Sequence, residues 1–230
     1  MADDNAANKW RPATNLVRGG TNRSNFAETS EGIFMTSGYI YDTAEQAQRA
    51  FQGEEERFIY SRFSNPTVGM FESRMALLEG AATGRATSTG MAAVNAAIAS
   101  SVRSGDRLVA SKALFGSCDY ICRDLMPRYG VQSTMVDGTN LAEWEAALSE
   151  PTAVVFMETP SNPQMDIIDI KAVSELAHKV GARVIIDNVF ATPILQKPLE
   201  LGADVVVYSA TKHIDGQGRA MGGCILTDDL

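Results

Sequence analysis

The chain has 230 residues, of which 45% are hydrophobic and 21% are charged, a balance typical of a globular protein rather than a fibrous or disordered one. With 28 acidic and 20 basic side chains its formal charge is -8, so there is no excess of Lys and Arg to neutralise nucleic-acid phosphates. The apolar runs are far shorter than the roughly 20 residues of a membrane-spanning helix, and the polar first ten residues do not resemble a secretory signal. We therefore expect a cytoplasmic protein that binds neither nucleic acid nor membranes.

The first 60 residues are polar, with one amphipathic segment at 43–51. They predict an extended arm, residues 1–60, that serves subunit contacts. Residues 61–230 are then one large domain, which begins with a helix marked by apolar residues between Met70 and Leu78.

Beyond that helix, helical periodicity alternates with short apolar runs. The runs predict strands at residues 107–110, 132–136, 153–157, 183–187 and 204–208, and a further strand-like stretch lies at 223–226. Helices are predicted near residues 91–101, 117–128, 141–148 and 170–180. Alternation of this kind indicates an α/β fold with a mainly parallel sheet flanked by helices.

The three cysteines are Cys118, Cys122 and Cys224, and we expect buried, reduced thiols because a chain of this size needs no disulfide to fold. The spacing of Cys118 and Cys122 on a predicted helix could hold a metal ion. Only two histidines are present and neither is their neighbour, so we expect no metal site.

Ligands of a parallel sheet collect at the carboxyl ends of its strands, so the polar residues there are the candidates for chemistry. Gly90 and Met91 open an Ala-rich helix, whose free N–H groups and dipole could hold a phosphate, although an ordinary tight turn fits equally well. Asp187 ends an apolar strand, where a carboxylate needs a cation or a donor, or caps the following loop.

Lys212 follows the strand at 204–208 within the segment SATKH (residues 209–213). It is either a solvated charge or an amine that desolvation turns into a nucleophile. A phosphate cradle, a buried carboxylate and an activated lysine are together what pyridoxal 5'-phosphate (PLP) requires. Phe115 could stack on the PLP ring, or it could be a core residue.

Several motifs, taken together, resemble a known family. They are YSR (60–62), SNPT (64–67), GMA (90–92), ETPSNP (158–163), DN (187–188) and SATKH (209–213). In combination they resemble the cystathionine gamma-synthase group of PLP enzymes, the Cys/Met metabolism family of fold type I. The resemblance extends over essentially the whole chain beyond residue 10.

The resemblance implies a role for individual residues. Lys212 is expected to be the catalytic lysine that forms a Schiff base with PLP, and Asp187 to be the partner of the pyridine nitrogen. Asn162 is expected to bind near the 3-hydroxyl group of PLP or the substrate carboxylate. The phosphate ligands are expected to be Gly90, Met91, Ser209 and Thr211, with Tyr60 and Arg62 from a neighbouring subunit. The active sites would then be shared across a dimer within a homo-oligomer, expected to be a tetramer.

Phe115 stands where many relatives have tyrosine, and Val189 where the cystathionine enzymes have threonine. Both favour the sulfhydrylase branch of the family, which implies γ-replacement of O-succinylhomoserine by sulfide to give homocysteine and succinate in methionine biosynthesis. The alternatives are a PLP-dependent γ- or β-lyase, or a truncated, non-catalytic PLP-binding fragment. The last is considered because the family's small C-terminal domain, which supplies the arginine for the substrate carboxylate, is absent from these 230 residues. The identity of the leaving group (succinyl, acetyl or phospho) and that of the sulfur donor stay open.

Overall fold

A computed structural model describes residues 10–229, so residues 1–9 of the expected arm lie outside the described residues. Contacts divide the chain into two compact units, with the boundary between Leu77 and Leu78.

The first unit is built from helices joined by extended segments. They are α1 (Pro12–Arg18), α2 (Ala44–Phe51) and most of α3 (Pro66–Glu79). The amphipathic segment at 43–51 forms α2, whose first turn is capped by the Thr43 side chain accepting from the Gln46 N–H. Within residues 10–77 the strand pairing is limited to an isolated bridge between Gly38 and Tyr60.

The second unit contains a seven-stranded sheet. Its strands are β1 (Thr83–Thr87), β2 (Arg107–Ser111), β3 (Gln132–Val136), β4 (Val154–Glu158), β5 (Arg183–Asp187), β6 (Val205–Ser209) and β7 (Gly223–Thr227). Their order is β1-β7-β6-β5-β4-β2-β3, with β7 antiparallel to both neighbours and the remaining pairs parallel. The prediction of a mainly parallel sheet is confirmed. Every residue of β4 is buried, as expected for a strand covered on both faces.

Helices and turns connect these strands. They are α4 (Gly90–Ser101), α5 (Gly116–Tyr120), α6 (Met126–Arg128), α7 (Leu141–Ala147), α8 (Ile170–Lys179) and α9 (Thr192–Leu195), with π-helical turns at Ile121–Leu125 and Ala210–Ile214 and a 3-10 turn at Pro198–Leu201. The helix expected at 117–128 is interrupted by the first π-helical turn, close to Pro127, which has no N–H to donate within a helix.

The apolar face of α4 packs into the core beside the strands. Ala93, Ala97 and Ile98 belong to the same buried cluster as Phe156 and Ile185. Cys118, Cys122 and Cys224 are buried, as expected, and the structure places none of the three in a disulfide bond. Within residues 10–229, no set of three or more His, Cys, Asp or Glu side chains is arranged to hold a metal ion. The helices of that same range are too short or too polar to cross a bilayer.

Candidate active site

The strand register brings the polar strand ends to one edge of the sheet. Thr87 of β1 and Ser209 of β6 both stand opposite Gly223, because β7 runs antiparallel between these two strands. Further along the same edge, Asp187 of β5 stands opposite Glu158 of β4. Four strand ends, the first and last of which lie more than 100 residues apart in the chain, therefore face the same space.

The first turn of α4 lies against the end of β6. A Cβ atom on Gly90 would lie 2.4 Å from the Cβ of Ser209 and 2.8 Å from its Cα, so only glycine permits this approach. The Thr89 side chain caps the 12-residue helix by accepting from the Ala92 N–H at 3.0 Å. Because the N–H groups of the first turn have no partner within the helix, Gly90, Met91 and the Ser209 side chain form a cradle suited to an anion.

The start of β7 closes the same corner. A Cβ atom on Gly223 would lie 2.4 Å from the carbonyl oxygen of Thr89. The Thr211 N–H donates to the Gly222 carbonyl at 3.3 Å, and the Thr211 hydroxyl accepts from the Gly222 N–H at 3.1 Å. The backbone around the expected phosphate ligands is therefore held by contacts between segments distant in sequence.

Lys212 lies in the π-helical turn that follows β6, with a non-helical backbone at φ -93° and ψ -116°. Its side chain is exposed. Of the two interpretations of Lys212, the exposure of its side chain agrees with the solvated charge. The reason is positional: Lys212 lies beyond the end of β6 rather than within it, so the helices that cover the faces of the sheet do not cover this side chain.

Asp187 is buried, with 6% of its surface exposed. One carboxylate oxygen accepts from the Val189 N–H at 3.0 Å, and the other lies 3.9 Å from the Cys118 sulfur. Burial, reinforced by the nearby Glu158 carboxylate, raises the pKa of Asp187 to about 7. Among the described residues it has no Lys or Arg partner, so a cationic group placed beside it would relieve the cost of its burial.

Glu158 is a site residue that the sequence reasoning missed. It is 4% exposed, and its two carboxylate oxygens accept from the Phe115 N–H at 2.6 Å and the Asn162 N–H at 3.0 Å. Burial raises its pKa, and the two backbone hydrogen bonds lower it. Its position at the end of an apolar strand, the same signal that marked Asp187, could have revealed it.

Glu158 fixes two loops that carry expected site residues. Phe115 caps the start of α5 and is 43% exposed, so its ring is not a core residue. Asn162 lies in the ETPSNP segment between two cis peptide bonds, Thr159–Pro160 and Asn162–Pro163. The backbones of Phe115 and Asn162 are thus both held by the buried carboxylate of Glu158.

Tyr60 and Arg62 lie in the first unit. Both side chains are exposed, and the Arg62 guanidinium carbon lies 5.5 Å from the centre of the Tyr60 ring and 4.5 Å from that of Phe63. Their expected role at a neighbouring subunit's phosphate stays a prediction.

A mainly parallel sheet with an anion-binding helix start, a buried carboxylate without a Lys or Arg partner among residues 10–229, and a lysine at one edge is typical of PLP enzymes of fold type I. The family model for Cys/Met metabolism PLP-dependent enzymes matches residues 13–230, and the chain belongs to this family. PLP is the family's cofactor, and the residues at this edge fit it: Asp187 can receive the pyridinium and the Gly90 cradle the phosphate.

The chain is similar to several individual proteins of known name. An O-succinylhomoserine sulfhydrylase of Mycobacterium tuberculosis is 56% identical over 94% of this chain and 53% of its own length. An L-methionine gamma-lyase of Porphyromonas gingivalis is 42% identical over 93% of this chain and 54% of its own. The crystal structure of a putative O-acetylhomoserine (thiol)-lyase from Campylobacter jejuni, which contains a pyridoxyl-lysine phosphate, has a TM-score of 0.90 and 32% identity over 96% of this chain and 54% of that one. The chain spans about half the length of the curated relatives it matches.

Proposed function

We propose that this protein catalyses the PLP-dependent γ-replacement of O-succinylhomoserine by sulfide, giving homocysteine and succinate in methionine biosynthesis. The observation that carries the PLP chemistry is the meeting of Gly90, Asp187 and the segment with Lys212 at one edge of the sheet. The choice of substrate is supported by the 56% identity to an O-succinylhomoserine sulfhydrylase and by phenylalanine at position 115. A cytoplasmic location is part of the proposal.

Each residue has one task in this reaction. When bound, PLP supplies a ring that withdraws electrons from the substrate's α-carbon. Lys212 would hold PLP through its amine, condensing with the aldehyde and releasing water, and Lys212 Nζ would take the proton from the substrate's Cα. The Asp187 carboxylate would keep the ring nitrogen of PLP protonated, and the positive charge on that nitrogen would favour the ionised form of Asp187.

The remaining site residues hold the cofactor in place. Gly90 and Met91 offer backbone N–H groups, and Ser209 and Thr211 offer hydroxyls, to the phosphate. The exposed ring of Phe115 would offer a stacking surface to the PLP ring. Asn162 binds the 3-hydroxyl side of the ring or the substrate carboxylate.

The main alternative is γ- or β-elimination. It is supported by the relatives named L-methionine gamma-lyase at 42% and 40% identity. A PLP-binding chain without catalysis is the remaining alternative, since the matched length is about half that of the relatives.

Product analysis separates these reactions. The purified protein is loaded with PLP and given O-succinylhomoserine with and without sulfide. Replacement predicts homocysteine and succinate in equal amounts only with sulfide, and little 2-oxobutyrate without it. Abundant 2-oxobutyrate in both reactions would instead indicate a lyase. A protein that holds PLP on Lys212, seen as a borohydride-fixed mass on its tryptic peptide, but releases neither product would be non-catalytic. Parallel reactions with O-acetyl- and O-phosphohomoserine identify the leaving group.

We further propose that residues 1–60 contact a second subunit, that residues 61–230 form the cofactor domain, and that Tyr60 and Arg62 complete the neighbour's phosphate site. Large apolar side chains in the first unit support this interface: Phe26, Met35 and Ile40 are 92%, 94% and 88% exposed. The proposed assembly is a homotetramer built from such dimers.

Mixed oligomers test the shared site. Arg62→Ala and Lys212→Ala should each be inactive alone. When the two are co-expressed, mixed dimers contain one site with both wild-type residues, so about one quarter of the wild-type activity should return. If the mixture is as inactive as the single variants, the sites are not shared.

A further inference from the structure

A buried series of side-chain hydrogen bonds, here called the polar chain, lies beside the candidate site and has no role in the proposed reaction. It starts at Glu79, the last residue of α3. The Tyr208 hydroxyl donates to Glu79 Oε2 at 2.5 Å and accepts from Asn188 Nδ2 at 2.6 Å. Gln196 Nε2 donates to Asn188 Oδ1 and to the Thr159 carbonyl, both at 2.8 Å. Glu79, Tyr208 and Asn188 are at most 1% exposed.

The direction of each bond in the polar chain is determined. The Asn188 amide nitrogen also donates to the Gln196 carbonyl at 2.9 Å, and its oxygen accepts from the Gln196 side chain, so the amide has one consistent orientation. The Tyr208 oxygen must then accept from Asn188, and its single proton must go to Glu79. A strong acceptor at position 79 is therefore required for the whole chain.

The members of the polar chain are sequence neighbours of site residues. Tyr208 precedes Ser209 in β6, and Asn188 follows Asp187 at the end of β5. We propose that Glu79 is a positioning residue for PLP. It orients the Tyr208 hydroxyl, which holds Asn188 and so keeps the ends of β5 and β6 in the spacing that the ring and the phosphate need. This inference rests on the proposed use of PLP.

The charge state of Glu79 affects the strength of the chain. Burial raises the pKa of Glu79 to about 7, while the Tyr208 hydroxyl, the Leu199 N–H and Lys197 lower it and Glu200 raises it. The other titratable neighbour of Tyr208 is the buried thiol of Cys224, which stands opposite it on β7. A carboxylate accepts a stronger hydrogen bond than a neutral acid, so the chain should tighten as pH rises through 7.

The test compares PLP binding by the full chain in wild type, Glu79→Gln, Tyr208→Phe and the double variant. Titration with PLP, followed by absorbance from pH 6 to pH 8.5, gives the Kd, and thermal melts give stability. We expect each single variant to raise the Kd about tenfold at pH 8. In wild type the Kd for PLP should fall between pH 6 and pH 8, and in both single variants this fall should be smaller. The double variant should bind little worse than either single variant, because both changes break one chain. Glu175→Gln, an exposed glutamate on α8, is the matched control.

Wild-type Kd values and pH profiles in folded Glu79→Gln and Tyr208→Phe proteins, even with lower melting temperatures, would overturn the positioning role. If Glu79→Gln does not fold, Tyr208→Phe decides alone, because it removes only a hydroxyl. Failure of the proposed reaction is seen separately: a wild type that binds PLP but makes no homocysteine, with the Kd values in the expected order, refutes the reaction and supports the polar chain.

Discussion

Replacing Gly90 by alanine tests the close approach of α4 to the end of β6. The new Cβ would lie 2.4 Å from the Ser209 Cβ and 2.8 Å from its Cα, whereas carbon atoms prefer about 3.5–4.0 Å. Rotation of the Ser209 side chain cannot relieve these contacts, because the backbone places both atoms. The helix and the strand end must therefore separate by roughly 1 Å, and overpacking of this kind costs about 1–3 kcal/mol.

The same separation widens the proposed phosphate cradle. We expect the free energy of unfolding of Gly90→Ala to fall by about 1–3 kcal/mol, and its Kd for PLP to rise about tenfold to a hundredfold. Urea unfolding and absorbance titration with PLP measure the two effects. Gly69→Ala is the control, because this glycine lies inside α3 with no atom within 4 Å of an added Cβ. The reasoning is refuted if Gly90→Ala matches wild type in both measurements.

Two further substitutions test the buried carboxylates. Folded Asp187 keeps its proton up to about pH 7, but the unfolded group loses it near 3.8, so its contribution to the stability of the cofactor-free protein is complete below pH 3.8 and is lost as pH rises through 7. Asp187→Asn should remove this fall in the free energy of unfolding between pH 3.8 and pH 7, as measured by urea unfolding. Without cofactor the variant should be more stable than wild type above pH 7, and it should bind PLP weakly. An unchanged dependence of stability on pH would contradict the raised pKa of Asp187. Glu158→Gln should leave either the Phe115 or the Asn162 N–H facing an amide NH2, which costs about 1–3 kcal/mol of stability and weakens PLP binding. Glu145→Gln, a change at an exposed position on α7, is the control. Equal losses of stability and PLP binding in the control would contradict the role of Glu158 in holding the two N–H groups.

Local signals in the sequence were enough to predict most of the fold. The apolar runs that became β2, β4, β5 and β6 are nearly all buried, because both faces of the sheet are covered there. The edge strand β3 is only partly buried. The same reasoning identified Asp187 as a candidate, since a carboxylate at the end of an apolar strand is costly to bury without a cation or a hydrogen-bond donor. The motifs extended these signals to a family, and the family is confirmed. The individual roles of the site residues stay predictions.

Other features depend on contacts between distant segments. Glu79 and Tyr208 are 129 residues apart, and the sequence around each of them does not predict their hydrogen bond. The bidentate role of Glu158 combines a local hydrogen bond from Asn162, in the loop after its own strand, with one from Phe115, which follows the neighbouring strand β2. The sequence left Lys212 as either a solvated charge or a desolvated amine, because burial is decided by what covers a residue in space, and here its side chain is exposed.

The amino-acid sequence by itself determined the alternating elements, the mainly parallel sheet and the polar residues that end its strands, because each depends on the local pattern of apolar and polar side chains. Only the tertiary structure decided that β7 lies antiparallel between β1 and β6, which sets Gly90 against Ser209, and that buried hydrogen bonds join the strand ends. Strand order and register come from the packing of the whole sheet, and no short stretch of sequence contains that information.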